Sequence, residues 1–242
     1  MSSGVDLHLL YKVANAVVNP YPYPHFFVQD VFPPDYYGQL QAMLPEREKT
    51  MKPLPEVRSI GGGAYRERFV MVLQREGELM EGLTEDQRAF WTGLRGMLVG
   101  GAFGQMLLDK FRPAVGPRFA GKNVTFYDEA MLVQDTVNYK LGPHTDAPRK
   151  VITLLFYLPP DESQRELGTS IYLPKDRQFR CPGGPHYDRA NFDRMWTMPF
   201  LPNSLFVFCK TDNSFHGVEP VTDPDTRRWL LLYDIFHRVE GQ

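Results

Sequence analysis

Apolar positions recur along this chain with two periods, and the change from one to the other divides it. In the first half the spacing is helical. Asp35–Leu44 follows Pro33-Pro34, places Tyr36, Tyr37, Leu40, Met43 and Leu44 at helical spacing, and is stopped by Pro45. Thr84 followed by Gln87 is a capping-box pattern, in which each side chain satisfies an orphan backbone N–H of the other. The helix it opens puts Phe90, Trp91, Leu94, Met97 and Leu98 on one face. Gly100-Gly101 weakens its far end, and Phe103, Met106, Leu107 and Phe111 continue the spacing beyond.

From about Val124 the pattern shortens to β-rich runs at Met131–Val137, Val151–Leu158, Thr169–Leu173, Ser204–Cys209 and Trp229–Phe236. Turn-rich pieces separate them: Leu141-Gly142-Pro143, Pro159-Pro160-Asp161, Cys181–Pro185 and Pro199–Asn203. Several short strands split by Gly/Pro turns predict a closed or double-sheet β architecture. No βαβ alternation is present, which argues against a Rossmann-type fold. The pattern predicts a mostly β chain with flanking α-helices. We expect a jelly roll over 124–238 and a mainly helical part over 1–123 packed on one of its sheets, the whole of 1–242 forming a single domain.

Composition narrows the function classes. The 242 residues carry 27 Lys+Arg against 29 Asp+Glu, a net charge of −2, so the basic surplus of a nucleic-acid-coating protein is missing. No run of 18 apolar residues predicts a membrane span, and Met1–Asn19 lacks the apolar centre of a signal peptide. Two cysteines, Cys181 and Cys209, make neither a CxxC pair nor a disulfide framework. A cytoplasmic protein with no membrane or nucleic-acid partner is expected.

Two of the six histidines sit in polar settings that core packing does not explain. His144 lies in Leu-Gly-Pro-His-Thr-Asp-Ala-Pro, with Asp146 two residues on. In extended chain such residues face the same side, so both can reach one metal. His216 lies in Asn-Ser-Phe-His-Gly-Val-Glu-Pro-Val, just after a β run. Two imidazoles and one carboxylate form the facial triad of non-haem Fe(II) oxygenases, which leaves coordination positions open for co-substrate and dioxygen. Ordinary turn histidines are the alternative reading of the same residues. Arg227 and Arg228 open the apolar strand Trp229–Phe236. An arginine at the mouth of a buried strand needs an anion. A dicarboxylate gripped through two parallel hydrogen bonds would serve, as would a surface ion pair with Asp223 or Asp225.

The segments 138–159 (NYKLGPHTDAPRKVITLLFYLP), 168–176 (GTSIYLPKD), 203–221 (NSLFVFCKTDNSFHGVEPV) and 227–235, with 23–45 near the N-terminus, together resemble the Fe(II)/2-oxoglutarate-dependent oxygenase superfamily. Within it they are most similar to the bacterial prolyl-hydroxylase-like branch. The HxD…H…R order covers about half the chain.

The resemblance implies a double-stranded β-helix (a cupin-like jelly roll), with Fe(II) held by His144, Asp146 and His216. It also implies an arginine binding the distal carboxylate of 2-oxoglutarate. Arg227 matches best when Tyr233 is aligned with the aromatic usual near the strand's end, and a one-residue slip turns Arg228 inward instead. Tyr139 corresponds loosely to a tyrosine that hydrogen-bonds the co-substrate. The implied activity is dioxygenase hydroxylation of an unactivated C–H bond, using O2, releasing succinate and CO2, with ascorbate as a possible reductant. Asp146 favours hydroxylation over halogenation, since related halogenases lack that carboxylate. A small or carrier-bound metabolite is the expected substrate. A protein side chain in a prolyl-hydroxylase-like reaction, or a non-catalytic cupin-like binding module, are the alternatives.

Weaker signals remain. Ile60–Ala64 (IGGGA) has no phosphate-loop ending and reads as a loop, with Tyr65, Arg66 and Arg68 able to close over substrate. Lys150, Thr169, Tyr172, Lys210 and Asn213 are candidates to line a pocket. His25, His186 and His237 lack ligand-like context and are expected in structural or exposed roles, Cys209 as buried filler and Cys181 as a loop thiol.

Overall fold

A computed structural model describes residues 3–57, 65–73 and 82–239. The helices are α1 (Ser3–Asn15), α2 (Pro34–Ala42), α3 (Arg47–Thr50), α4 (Leu54–Val57), α5 (Glu85–Leu98), α6 (Ala102–Lys110) and α7 (Arg112–Phe119). The strands are β1 (His25–Gln29), β2 (Lys52–Pro53), β3 (Arg68–Val72), β4 (Val124–Asp135), β5 (Leu141–His144), β6 (Lys150–Tyr157), β7 (Thr169–Pro174), β8 (Phe192–Thr197), β9 (Ser204–Cys209), β10 (His216–Val218) and β11 (Arg228–Val239). They form a major sheet in the order β1-β9-β6-β11-β4-β3-β2 and a minor sheet in the order β5-β10-β7-β8. Every pairing is antiparallel. This is the expected double-stranded β-helix with helices on one face.

Side-chain alternation explains why the two layers stack as they do. Along β11, Leu231, Tyr233 and Ile235 face the helices, while Leu230 and Leu232 face the minor sheet. On β6, Leu154 and Phe156 take the first side, and Leu155 and Tyr157 the second. A strand buried on both faces reads as a continuous apolar run, which is why these two were legible in the sequence. The helical layer supplies Trp91, Leu94, Leu98, Phe103, Leu107 and Phe111 to the outer core, all buried. Each fully buried side chain of this kind contributes on the order of 2 kcal/mol.

Several boundaries differ from expectation. The capping box of α5 is present, with Thr84 Oγ1 accepting from the Gln87 backbone and Gln87 Oε1 from that of Thr84. The run after it is two helices, because Gly100 adopts φ +73° and breaks the path between α5 and α6. The strand expected over Met131–Val137 begins at Val124 and ends at Asp135. Its half-buried first turns pair with the far end of β11, from Ala130↔Tyr233 to Val124↔Val239. The N-terminal part is not helical throughout, since it contributes β1, β2 and β3 to the major sheet. β1 and β3 carry no local signal of their pairing, because their partners, β9 and β4, lie far away in sequence.

Removing the α5 cap isolates a local term. Thr84→Ala is expected to lower stability by about 1 kcal/mol, read as a lower urea midpoint at unchanged slope. An unchanged midpoint would mean that the cap adds nothing in this context.

Candidate metal centre and its cavity

Antiparallel pairing of two short strands assembles the site. β10 pairs with β5 so that His216 stands opposite His144, and Asp146 follows two residues after β5 ends. The rings of His144 and His216 lie 4.4 Å apart at 48°. One nitrogen of each imidazole and one oxygen of Asp146 all fall within 4.8 Å of one another, and all three residues are buried. Asp146 Oδ1 is 4.0 Å from His216 Nε2, too far for a hydrogen bond.

The surroundings fix the state of each group. His144 Nδ1 lies 2.9 Å from the Gly142 carbonyl oxygen and His216 Nδ1 2.9 Å from that of Ser214. A carbonyl only accepts, so both rings carry their proton on Nδ1 and present the Nε2 lone pair. Burial pushes the His144 imidazole down to about 3, helped by His216 beside it. Burial also lowers His216, against the pull of Asp146. For Asp146, burial alone would raise the carboxyl, but Lys150 and the two imidazoles hold it well below the usual carboxylate range. Neutral imidazoles and an ionised carboxylate are the forms a divalent cation requires. Both histidines have their outer nitrogen occupied, so the donor set fits a metal of the facial-triad kind.

Asp146 is held from both sides. Thr153 Oγ1 donates to Oδ2 at 2.7 Å. Lys150 Nζ lies 3.2 Å from Oδ1 and 2.9 Å from Oδ1 of Asp234 on β11. Burial opposes the charge on Lys150, but the two carboxylates raise its pKa nonetheless.

The triad opens on a cavity of about 470 Å³ between the two sheets. Its lining includes Arg68, Lys150, Thr153, Thr169 and Arg228, with Met131, Leu155, Leu230 and Leu232 as apolar floor. Gly183 is also at the wall, at φ +140°, where a Cβ would stand 2.7 Å from the Asp146 carbonyl oxygen. Only glycine fits so close an approach in that conformation.

The structure corrects the preference for Arg227 as the inward arginine. Register places Arg228 opposite Asp135, fully buried and lining the cavity, whereas Arg227 is exposed and its Nη1 donates to the carbonyls of Pro224 and Thr226. Tyr139 is buried but does not line the cavity; its ring lies under the Arg68 guanidinium at 4.5 Å. Tyr65 and Arg68 reach the cavity wall and Arg66 is exposed, while Ile60–Ala64 lies outside the described residues. Of the weaker candidates, Lys150 and Thr169 line the cavity and Tyr172, Lys210 and Asn213 do not.

His186 is the residue that sequence reasoning misplaced. It lines the cavity, its ring 4.5 Å from that of His144, with Nε2 3.1 Å from the Tyr65 hydroxyl. Burial, then His144 and Arg189, lower its pKa to about 4. Its turn-rich neighbourhood carries no periodic signal, so nothing local in the sequence marks it. Cys181 lies in a loop, as expected, and is buried, as is Cys209 on β9.

Metal titration by calorimetry tests the donor set directly. Asp146→Ala is expected to abolish tight Ni(II) or Co(II) binding, and Thr153→Val to weaken it about tenfold or more by freeing the carboxylate. Unchanged affinity in Asp146→Ala would remove that residue from the metal centre.

No family model matches the chain, and no curated protein matches it in sequence. Among the described residues, no helix is long and apolar enough to cross a membrane. Solved structures do match. A prolyl 4-hydroxylase from Phytophthora capsici aligns at 14% identity over 96% of this chain and 65% of that one, with a TM-score of 0.50. The epimerase SnoN, solved with Fe3+, alpha ketoglutarate and nogalamycin RO, aligns at 11% identity over 96% and 83%, also at 0.50. HygX from Streptomyces hygroscopicus, solved with nickel, 2-oxoglutarate and hygromycin B, aligns at 9% over 88% and 82%, again at 0.50. At these identities the likeness is one of fold. The chain has the double-stranded β-helix fold of the Fe(II)/2-oxoglutarate-dependent oxygenases, the superfamily that its sequence motifs resemble.

Proposed function

We propose that this protein is an Fe(II)- and 2-oxoglutarate-dependent dioxygenase that hydroxylates an unactivated C–H bond of a small or carrier-bound metabolite. The observation that carries the reading is the convergence of His144, Asp146, His216 and Arg228 on one cavity between the sheets. Bound Fe(II) would couple the oxidative decarboxylation of 2-oxoglutarate by O2, giving succinate and CO2, to oxidation of the substrate C–H bond. His144, Asp146 and His216 would hold the ion, and Arg228 would grip the distal carboxylate of the co-substrate.

Charge arithmetic supports the pairing of a metal with a dicarboxylate. Arg68 and Arg228 are buried and Lys150 is partly buried in the cavity wall together with Asp146 and Asp234, and Asp135 is bonded to both arginines. Three cations thus face three carboxylates. A dication and a dianionic co-substrate can enter that set together without leaving net charge in a low-dielectric interior. The part of the substrate that reaches the metal is then uncharged, and the apolar floor of Leu155, Leu230 and Leu232 suits it. The cavity volume falls within the range of small-molecule sites.

The remaining wall has a protective task. Tyr65, His186 and the segment around Gly183 flank the metal side of the cavity. Excluding water there keeps an oxidising centre from reacting with solvent or with the protein itself.

The test is succinate formation from 2-oxoglutarate under air, with purified protein, Fe(II) and ascorbate. Wild type is expected to turn over slowly without substrate, and His144→Ala not at all. Wild-type protein that neither forms succinate nor binds 2-oxoglutarate when loaded with Ni(II) would sink the reading in favour of a non-catalytic module.

A further inference from the structure

Strands β3, β4 and β11 are neighbours in the major sheet, and their registers place Arg68, Asp135 and Arg228 directly opposite one another. The three side chains form a row on the sheet's inner face. Asp135 Oδ1 accepts from Arg68 Nε at 2.7 Å, and its Oδ2 accepts from Arg68 Nη2 at 2.9 Å and Arg228 Nη1 at 2.6 Å. The Asp135 side chain is fully buried, that of Arg228 is 1% exposed and that of Arg68 10%. One carboxylate serves two guanidinium groups, so the row carries one positive charge in excess. A buried charge without a partner is costly, and the cheapest remedy is an anion.

The arginines are also prepared for one. Arg68 is stacked on Tyr139 at 4.5 Å and Arg228 on Phe200 at 4.8 Å, which fixes both guanidinium planes. Arg228 Nε donates to the Leu167 carbonyl. Among the described residues, no hydrogen bond engages Nη1 of Arg68 or Nη2 of Arg228, although both residues line the cavity. The Tyr139 hydroxyl, behind Arg68, is likewise buried with no partner.

We propose that Arg68 is a second binding residue for the co-substrate, and that Arg68 and Arg228 close on its distal carboxylate as a two-armed clamp. Each arm gives the amino group that Asp135 leaves free. Asp135 is the positioning residue that sets the distance between the arms. The inference rests on the proposed use of 2-oxoglutarate and deepens it. One arm comes from the chain segment ahead of the jelly-roll strands, so occupancy of the clamp ties that segment to the core.

Calorimetry on Ni(II)-loaded protein tests this with two ligands, 2-oxoglutarate and 2-oxobutyrate. They share the chelating 2-oxo acid head, and only the first has a distal carboxylate. Arg68→Met is expected to lose about tenfold or more in affinity for 2-oxoglutarate and nothing for 2-oxobutyrate. Arg68→Lys, which keeps the charge and loses the fork, is expected to fall between, and it decides the matter if Arg68→Met does not fold. Wild-type affinity for 2-oxoglutarate in these variants, or a parallel loss for both ligands, would overturn the clamp. If Arg228→Met alone weakens 2-oxoglutarate, the functional reading stands and the clamp falls. Wild-type protein that binds neither ligand overturns both.

Discussion

The two-residue alternation of β11 is the constraint on which the rest of this molecule depends. The strand lies between β4 and β6 in the major sheet, so neither edge is free and its register cannot slide. Its odd positions fill the core beneath the helices. Its even positions, Arg228, Leu230, Leu232 and Asp234, face the cavity. The same strand thus brings a guanidinium to one part of the cavity wall, a carboxylate to another, and two leucines between them. A slip of one residue would drive Arg227, Trp229 and Tyr233 inward and strand the paired charges against the helical core. The cost of burying those charges unpaired is several kcal/mol each, enough to exclude the alternative register without help from any ligand.

The same principle organises the metal side. Lys150 opens β6 and meets Asp146 and Asp234 together, so the central strand is tied through one ammonium to a residue of the metal centre. Thr153, three residues further along β6 and brought to the same face by the register shift that skips Val151, holds the other oxygen of Asp146. The carboxylate is therefore oriented by two residues of one strand, while the two imidazoles are oriented by backbone carbonyls two residues before each of them. That repeated geometry follows from extended chain, in which the side chain at one position can reach back to the carbonyl of the residue two before it.

What the sequence made legible follows from the range of each interaction. His144 and Asp146 are two residues apart, so their shared side is decided locally, and His216 is marked by its polar setting after a β run, although only the pairing of β10 with β5 brings it opposite His144. Arg227 and Arg228 present two equal side chains at a strand entrance, and only the pairing of Arg228 with Asp135, 93 residues earlier, breaks the tie. Arg68 is legible in the sequence only as a residue beside a loop, able to close over substrate; its place beside Asp135 is set by the pairing of β3 with β4, 67 residues on. His186 reaches the cavity through a turn-rich connection whose path is set by contacts rather than by periodicity. Tyr139 lay close to the right place, but it supports an arginine from behind instead of facing the cavity.

These observations make the cavity an electrostatic object before it is a shape. Its cationic row along β3, β4 and β11 and its anionic pair around Lys150 are each out of balance alone, in opposite senses, and they are separated by the apolar side chains of Leu230 and Leu232. Apolar residues between the two prevent the charges from collapsing onto one another. A ligand that is anionic at one end and chelating at the other, with a cation at the chelating end, complements both imbalances at once. This charge pattern complements the occupant proposed above, and the fold achieves it with side chains whose inward direction is dictated by the pairing of its central strands.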